Sequence, residues 1–435
     1  MRLLVVANPA SIHATRFVCL LQEIGHDVEV FHPEIHFAVD EFLRNTRLHV
    51  AYVTSQPANG NTLVLWRRPL RWRPWLGTHP FDGKKAWAWE RYGDKLAVPA
   101  LEHLVRTLRP DGVISLKMQN EGYTVAEVRE RVGRTFPPWL HFNWGTDIEY
   151  FGKYPDVQAE HLPKIRKVLD LCDFHIADCE RDVRLAAAFG LKGRSLGACV
   201  ASGGFDLDDL DKLRRSENVR DTILVKGRHW PPVGTAHPIV DALSSLRDEL
   251  RGLRVEFMMT TPDVDERIRR LAAEEGLPFA VLPRLSYAEL LRRYARARFT
   301  IAATNVDGTP SFLIESMAMG AVPLHSDLES VREWVTDGDN GLLFQMSDPD
   351  AMTTAIRRLI RDDAFVARAA ARNLEIACAR MDRKRIRSWV ARQIDEHFTD
   401  FRRPSRSGPA ALRERLRHAS RRLSARKREN ADASR

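Results

Sequence analysis

The stretch 299–323, FTIAATNVDGTPSFLIESMAMGAVP, leaves this chain the fewest choices of fold. Its opening run, 299–304, is short, apolar and partly β-branched, which predicts a buried strand. Residues 305–311 form a turn-rich loop. Pro310 suits the first turn of a helix, because its missing N–H has no helical partner there. Residues 312–319 then read as helix, Gly320 stops it, and 321–325 read as the next strand. Loop and helix start together form an anion site, where free N–H groups and the positive end of the helix dipole favour phosphate. Gly308, Thr309, Ser311 and Phe312 are its candidate residues. Asp307 and Glu315 flank it, with seven residues between them. Carboxylates repel phosphate, so these two are read as partners of hydroxyl groups on a ribose or a sugar. The plainer alternative is a surface loop followed by an amphipathic helix.

The same alternation opens the chain. Residues 2–7 read as a strand, 15–24 as a helix ended by Gly25, and 26–31 as a second strand, a βαβ unit. Further strands are expected at 112–116, 139–144, 172–177 and 197–201, with a helix at 179–189. After a linker at 202–221, strands at 222–225, 254–259 and 279–282 alternate with helices at 263–275 and from Ser286 onward. A chain of 435 residues is long enough for two such α/β domains, here 1–201 and 222–382. A closing helix over 383–401 and an Arg-, Ser- and Ala-rich tail over 402–435 complete it. The tail's composition cannot bury enough surface to order itself.

A net charge of +9 and a pI near 9.4 point to an anionic partner: a nucleotide, a nucleic acid or an acidic lipid surface. The five cysteines are odd in number and form no CxxC, which fits reduced thiols in a cytoplasmic protein. The N-terminus does not read as a secretory signal, and no apolar run reaches membrane-spanning length. Trp66, Trp72, Trp75, Trp87 and Trp89 alternate with Arg67, Arg68, Arg71, Arg73, Lys84 and Lys85. Indoles belong at apolar–wet boundaries and basic side chains pair with anionic headgroups. A long loop packing its indoles on the domain surface is the equal alternative. Nucleic acid ranks below both, because no binding motif accompanies the aromatics. In the tail, Leu412, Leu416, Ala419 and Leu423 recur at helical spacing among arginines, a basic amphipathic pattern suited to a membrane surface. A peripheral position on the inner face of the membrane is therefore expected.

The residues Glu315-Ser316-Met317-Ala318-Met319-Gly320-Ala321-Val322-Pro323, with Asp307 upstream, resemble the signature of glycosyltransferase family 4. Asp307 stands where the family's first Glu falls, and Pro310 where many members have Gly. Gly341-Leu342-Leu343-Phe344 and the Ser202-Gly203-Gly204-Phe205-Asp206 turn are similar to further family features. The resemblance implies an α/β GT-B fold, two Rossmann-like βαβ domains facing a central cleft, with retention of anomeric configuration. It implies that Asp307 contacts the donor sugar and Glu315 the nucleotide ribose, and that Arg284 and Leu285 lie beside the base. The first domain would hold the acceptor, with His13, His141 and Asp147 as acceptor-side candidates. His141 lies in an apolar run, so a core histidine is its alternative reading.

Cleavage of a sugar–diphosphate bond needs positive charge preplaced at the leaving group. Lys226 and Arg228 follow a strand end and can supply it. Gly227-Arg228 resembles the family's Gly-Arg. The family's later Lys-Gly is replaced by Val233-Gly234, so Lys226 is the candidate substitute and His229 the weaker one. No metal site and no cofactor are expected. The sequence thus reads as a retaining, metal-independent glycosyltransferase. Its donor would be a UDP-, GDP- or dTDP-linked sugar, and its acceptor a glycan, a lipid or a small molecule. A nucleotide-sugar epimerase of the same architecture, acting on the donor alone, is the alternative enzyme. A basic scaffold associated with membrane or nucleic acid, with a degenerate donor site, is the non-enzymatic one.

Overall fold

The structure is a computed structural model. It describes residues 1–33, 39–50, 60–65, 83–217, 219–227, 234, 236–399 and 401, with backbone alone for 63, 65 and 83–95. The chain builds two parallel sheets, and each grows from strand–helix alternation.

In the first, β1 (Arg2–Val6), α1 (Ile12–Ile24) and β2 (Asp27–His32) form the opening unit. Ser11 caps α1 by accepting the Ala14 N–H, and Gly25 ends it in the left-handed region at φ 101°, a conformation that costs glycine least. Then come β3 (Arg47–Val50), β4 (Thr62–Leu65), α2 (Gly83–Leu108), β5 (Gly112–Leu116), α3 (Tyr123–Val132) and β6 (Trp139–Asn143). The domain continues with α4 (Glu149–Lys153), α5 (Pro155–Leu171), β7 (Phe174–Ala177), α6 (Glu180–Ala188) and β8 (Arg194–Ala198). The strand order is β4-β3-β2-β1-β5-β6-β7-β8, and every pair is parallel. Helices cover both faces, so β1 and β5 are apolar without alternation and buried over nearly all their length. One core layer joins Leu4, Val6, Val113 and Trp139 to Leu101 and Val105 of α2 and Ile165 and Val168 of α5.

The residues between the sheets, expected as a linker, contain α7 (Leu207–Ser216). The second sheet uses β9 (Thr222–Lys226), α8 (His237–Ser245), β10 (Arg254–Met258), α9 (Pro262–Glu275), β11 (Phe279–Val281), α10 (Tyr287–Arg296) and β12 (Ala297–Ala302). It ends with α11 (Ser311–Ala318), β13 (Val322–Ser326), α12 (Glu329–Arg332), β14 (Leu342–Phe344), α13 (Pro349–Arg361) and α14 (Asp363–Arg380). Its order is β11-β10-β9-β12-β13-β14, again all parallel. Ile223, Val225, Phe257, Phe299 and Leu324 pack on Ile356 and Leu359 of α13.

The chain then returns to the first domain. The Phe205 N–H donates to the Met381 carbonyl. Arg383, opening α15 (Arg383–Phe398), pairs with Glu23 of α1 at 2.7 Å. Of the Trp/Arg stretch, 66–82 lies outside the described residues, while Lys84, Lys85, Trp87 and Trp89 fall in the backbone of α2 rather than in a loop. The tail 402–435 also lies outside them. No helix among the described residues is long and apolar enough to cross a membrane, and the five cysteines are free.

Phe299 is fully buried in β12, the strand that feeds the loop at Asp307. Phe299→Ala should lower unfolding stability by about 3–5 kcal/mol, measured by urea denaturation.

Candidate active site

In an open parallel sheet a crevice forms where the strand order reverses direction. Here the reversals fall between β1 and β5 in the first sheet and between β9 and β12 in the second. The chain leaving these four strands carries His13, Lys117, Lys226 and Asp307.

On the second domain, Lys226 ends β9 and its Nζ lies 3.8 Å from Asp307 Oδ2. Asp307 Oδ1 accepts the N–H of Gly308. Pro310 stands before α11 in extended conformation, and its carbonyl accepts the N–H groups of Leu313 and Ile314. The first amides of the helix, Ser311 and Phe312, have no acceptor within a helix by geometry. Glu315 lies one turn further in and is 7% exposed. Burial raises its pKa, against the pull of Arg16, of Lys226 and of hydrogen bonds from Tyr294 and Tyr287. Both tyrosines lie on α10, whose N-terminus is fixed by a Ser286–Glu289 capping box. Gly227 is buried, Arg284 is exposed and Leu285 half-buried. Arg228 lies outside the described residues.

The first domain closes on this group. Arg16, from α1, donates to the Tyr287 hydroxyl at 3.0 Å and to the Gly204 carbonyl at 2.6 Å. Its guanidinium also lies over the rings of Phe205 and Tyr287, contacts that favour a planar cation. His13 Nε2 is 3.4 Å from Ser311 Oγ across the cleft, and its ring meets Trp144 edge-on. Burial, then the charge of Arg16, lowers its pKa to about 4, so His13 is neutral near pH 7. It reaches the start of the second domain's helix α11.

Two other first-domain candidates do not line the cleft. His141 has no exposed surface, and its Nδ1 is 2.8 Å from Ser115 Oγ, inside the sheet. It is a core histidine, because β6 is covered on both faces. Asp147 is 3% exposed. It accepts the N–H groups of Met118 and Trp144 at 2.8 and 3.0 Å, so its carboxylate ties two loops together. The loop that it holds begins at Lys117, φ 84°, and includes Asn120, φ 64°. Such conformations cost non-glycine residues free energy and gather at functional sites.

The sequence reading missed Arg16, Tyr287 and Tyr294, and it also missed Asp178 and Arg181 at the start of α6. The only signal was weak: two tyrosines seven apart on one helix and an Arg after a βαβ loop. Among the described residues, Asp178, Cys179 and Asp182 lie close enough to hold a metal ion. Asp178 Oδ1 is buried and has no hydrogen-bond partner among the described residues, whereas its Oδ2 and both Asp182 oxygens are engaged. Asp178 accepts the Gly145 amide, and Asp182 pairs with Asn143 and the Arg181 guanidinium.

Two parallel sheets with this topology define the class. The chain is similar to sucrose-phosphate synthase from Thermosynechococcus elongatus, with TM-score 0.67 and 16% identity, over 91% of this chain and 98% of that one. It is similar to Anabaena HepE in complex with UDP and glucose, with TM-score 0.62 and 16% identity, over 91% and 100%. The fold is GT-B. Residues 220–362, most of the second domain, match the family model Glycosyl transferases group 1. A stretch of 64 residues, 14% of this chain, is 39% identical to the phosphatidyl-myo-inositol mannosyltransferase of Mycolicibacterium smegmatis. That stretch spans 17% of the relative's length.

Burial pushes the Asp147 carboxyl up to about 7, outweighing the Lys117 charge and its two amide bonds. A raised folded-state pKa means that the group's contribution is full below about pH 4 and is lost as pH rises to about 7. The urea midpoint of the parent should therefore fall between pH 4 and pH 7.5 relative to that of Asp147→Asn. Equal pH profiles would refute the assignment.

Proposed function

We propose that this protein is a retaining, metal-independent glycosyltransferase that moves a sugar from a nucleotide-sugar donor to an acceptor. One observation carries the reading. Lys226 and Asp307 meet at 3.8 Å at the ends of neighbouring strands β9 and β12, with the α11 N-terminus beside them. A cation, a carboxylate and open helix amides at one point suit a sugar diphosphate. The helix amides and Lys226, with Arg228, would stabilise charge growing on the leaving diphosphate. Asp307 would hold sugar hydroxyls and Glu315 those of the ribose. The positive charge comes from side chains, so the reading needs no metal. Solved GT-B neighbours carry UDP-glucose or UDP with glucose in their complexes, which supports a nucleotide-sugar donor here.

Glu315→Gln should weaken nucleoside diphosphate binding by about 1.5–3 kcal/mol, the worth of a hydrogen bond to a charged group, read by calorimetry. Asp307→Ala should lower turnover while sparing binding of the free nucleotide. Turnover should release nucleoside diphosphate, with EDTA having little effect. Sugar isomerisation without that release would favour an epimerase, and loss of activity in EDTA would reject the metal-free chemistry.

The acceptor we propose is a lipid-linked or cell-envelope glycan met at an anionic membrane surface. The net charge of +9, the Trp/Arg alternation over 66–89 and the basic tail support it. So does the mannosyltransferase relative, whose name gives phosphatidyl-myo-inositol as its acceptor. Each basic residue near such a surface adds about 1 kcal/mol, screened by salt. The protein should co-sediment with anionic liposomes at low salt, and less so after deletion of 402–435. Equal recovery with neutral liposomes would exclude this acceptor route.

A further inference from the structure

The loop bearing Asp307 is not held by its own domain alone. Asp178, directly after β7 of the first domain, is 4% exposed. Its Oδ2 accepts the amide of Gly145 at 2.9 Å and, across the boundary, the amide of Thr309 at 3.2 Å. The Thr309 hydroxyl donates to the Asp178 carbonyl at 2.5 Å. The approach is so close that a Cβ on Gly308 would lie 2.4 Å from the Asp178 carboxylate and 2.7 Å from Gly145 Cα. Only glycine fits there.

Arg181, in the first turn of α6, completes the grip. Its Nη1 donates to the Asp307 carbonyl at 2.6 Å, an acceptor that Ser330 Oγ shares at 2.7 Å. The guanidinium is 2% exposed at the side chain and lies between Glu149 and Asp182. Those first-domain carboxylates balance its charge. It can therefore cross the boundary to a carbonyl, leaving the Asp307 carboxylate facing Lys226. The second domain reciprocates. The α6 N-terminus has no side-chain cap of its own at Cys179. Glu333 fills that place, accepting the N–H groups of Glu180 and Arg181 at 2.9 and 2.8 Å. A carboxylate suits the positive end of a helix.

We propose that Arg181 and Asp178 are positioning residues for the transfer reaction: the first domain sets the backbone of the 307–309 loop, and with it the sugar-facing carboxylate. This rests on the donor-site reading above. Parting of the domains removes the Thr309 and Asp307 bonds together with the Glu333 cap. The donor carboxylate is then in register only while both domains are in contact. In this reading the ribose and phosphates are held at Glu315 and the amides of Ser311 and Phe312, groups that neither Arg181 nor Glu333 touches.

Two variants and two measurements test it. Arg181→Lys keeps the charge and loses the planar fork. Glu333→Gln keeps the shape of the cap, weakens it, and carries the test if the buried Lys prevents folding. Turnover should fall by about 100-fold in Arg181→Lys, the scale of an ångström's misplacement at a reacting centre, and by less in Glu333→Gln. Affinity for free nucleoside diphosphate should change by no more than about twofold, as expected for a group acting only in the reaction. Amide hydrogen exchange, which needs no substrate, should quicken in peptides covering 305–310 and 179–182, while strands of both sheets keep parental protection. Unchanged turnover, an equal loss of nucleotide affinity, or unchanged exchange in these peptides would overturn the proposal. A parent protein that binds no nucleoside diphosphate would instead reject the donor site, while the exchange data would still decide whether Arg181 and Glu333 fix the loop.

Discussion

Because every strand of both sheets runs the same way, all the chain that follows a strand emerges at one edge of each sheet. Parallel strands need a crossover for each pair, and most of the described crossovers contain helices, so the strands they cover are apolar on both faces. Polar residues are thereby driven to the strand ends. Lys226 and Asp307 are neighbours because β9 and β12 are neighbours, although 81 positions separate them (307 − 226). His13 comes to Ser311 in the same way, from the end of β1.

Three buried charges of the cleft each have partners. Arg181 lies between Glu149 and Asp182. Arg16 rests on aromatic rings and gives its hydrogens to a tyrosine and a carbonyl. Glu315 takes hydroxyls from two tyrosines. A buried charge left unpaired is strongly destabilising, so these partners are a condition of folding as well as of binding.

Much of this was legible in the chain. The run 299–323 gave strand, loop, helix and strand within a residue or two of β12, α11 and β13, because Pro310 and Gly320 punctuate it and the apolar periods are clear. The roles of β1, α1 and β2 were equally clear. Strands β3 and β4 and the long α2 were not read, because four-residue strands and a Trp- and Arg-rich helix carry no clean period. Helix α7 was read as linker, since its charged sequence shows little beyond one buried position, Leu210. His141 shows the limit for single residues. A histidine in an apolar strand reads alike whether it faces a cleft or a core, and only the covering helices decide.

The sequence by itself determined the α/β alternation, the parallel class of both sheets and the loop between β12 and α11, since these follow from local periodicity, turn chemistry and a short motif. The tertiary structure decided what surrounds that loop. Asp178 and Arg181 hold it from the other domain, and Arg16 reaches Tyr287 on α10, all from more than a hundred positions away in the chain. No local pattern encodes such a meeting. It arises when two sheet edges face each other, and the carbonyls, amides and carboxylates buried between them take the partners within reach.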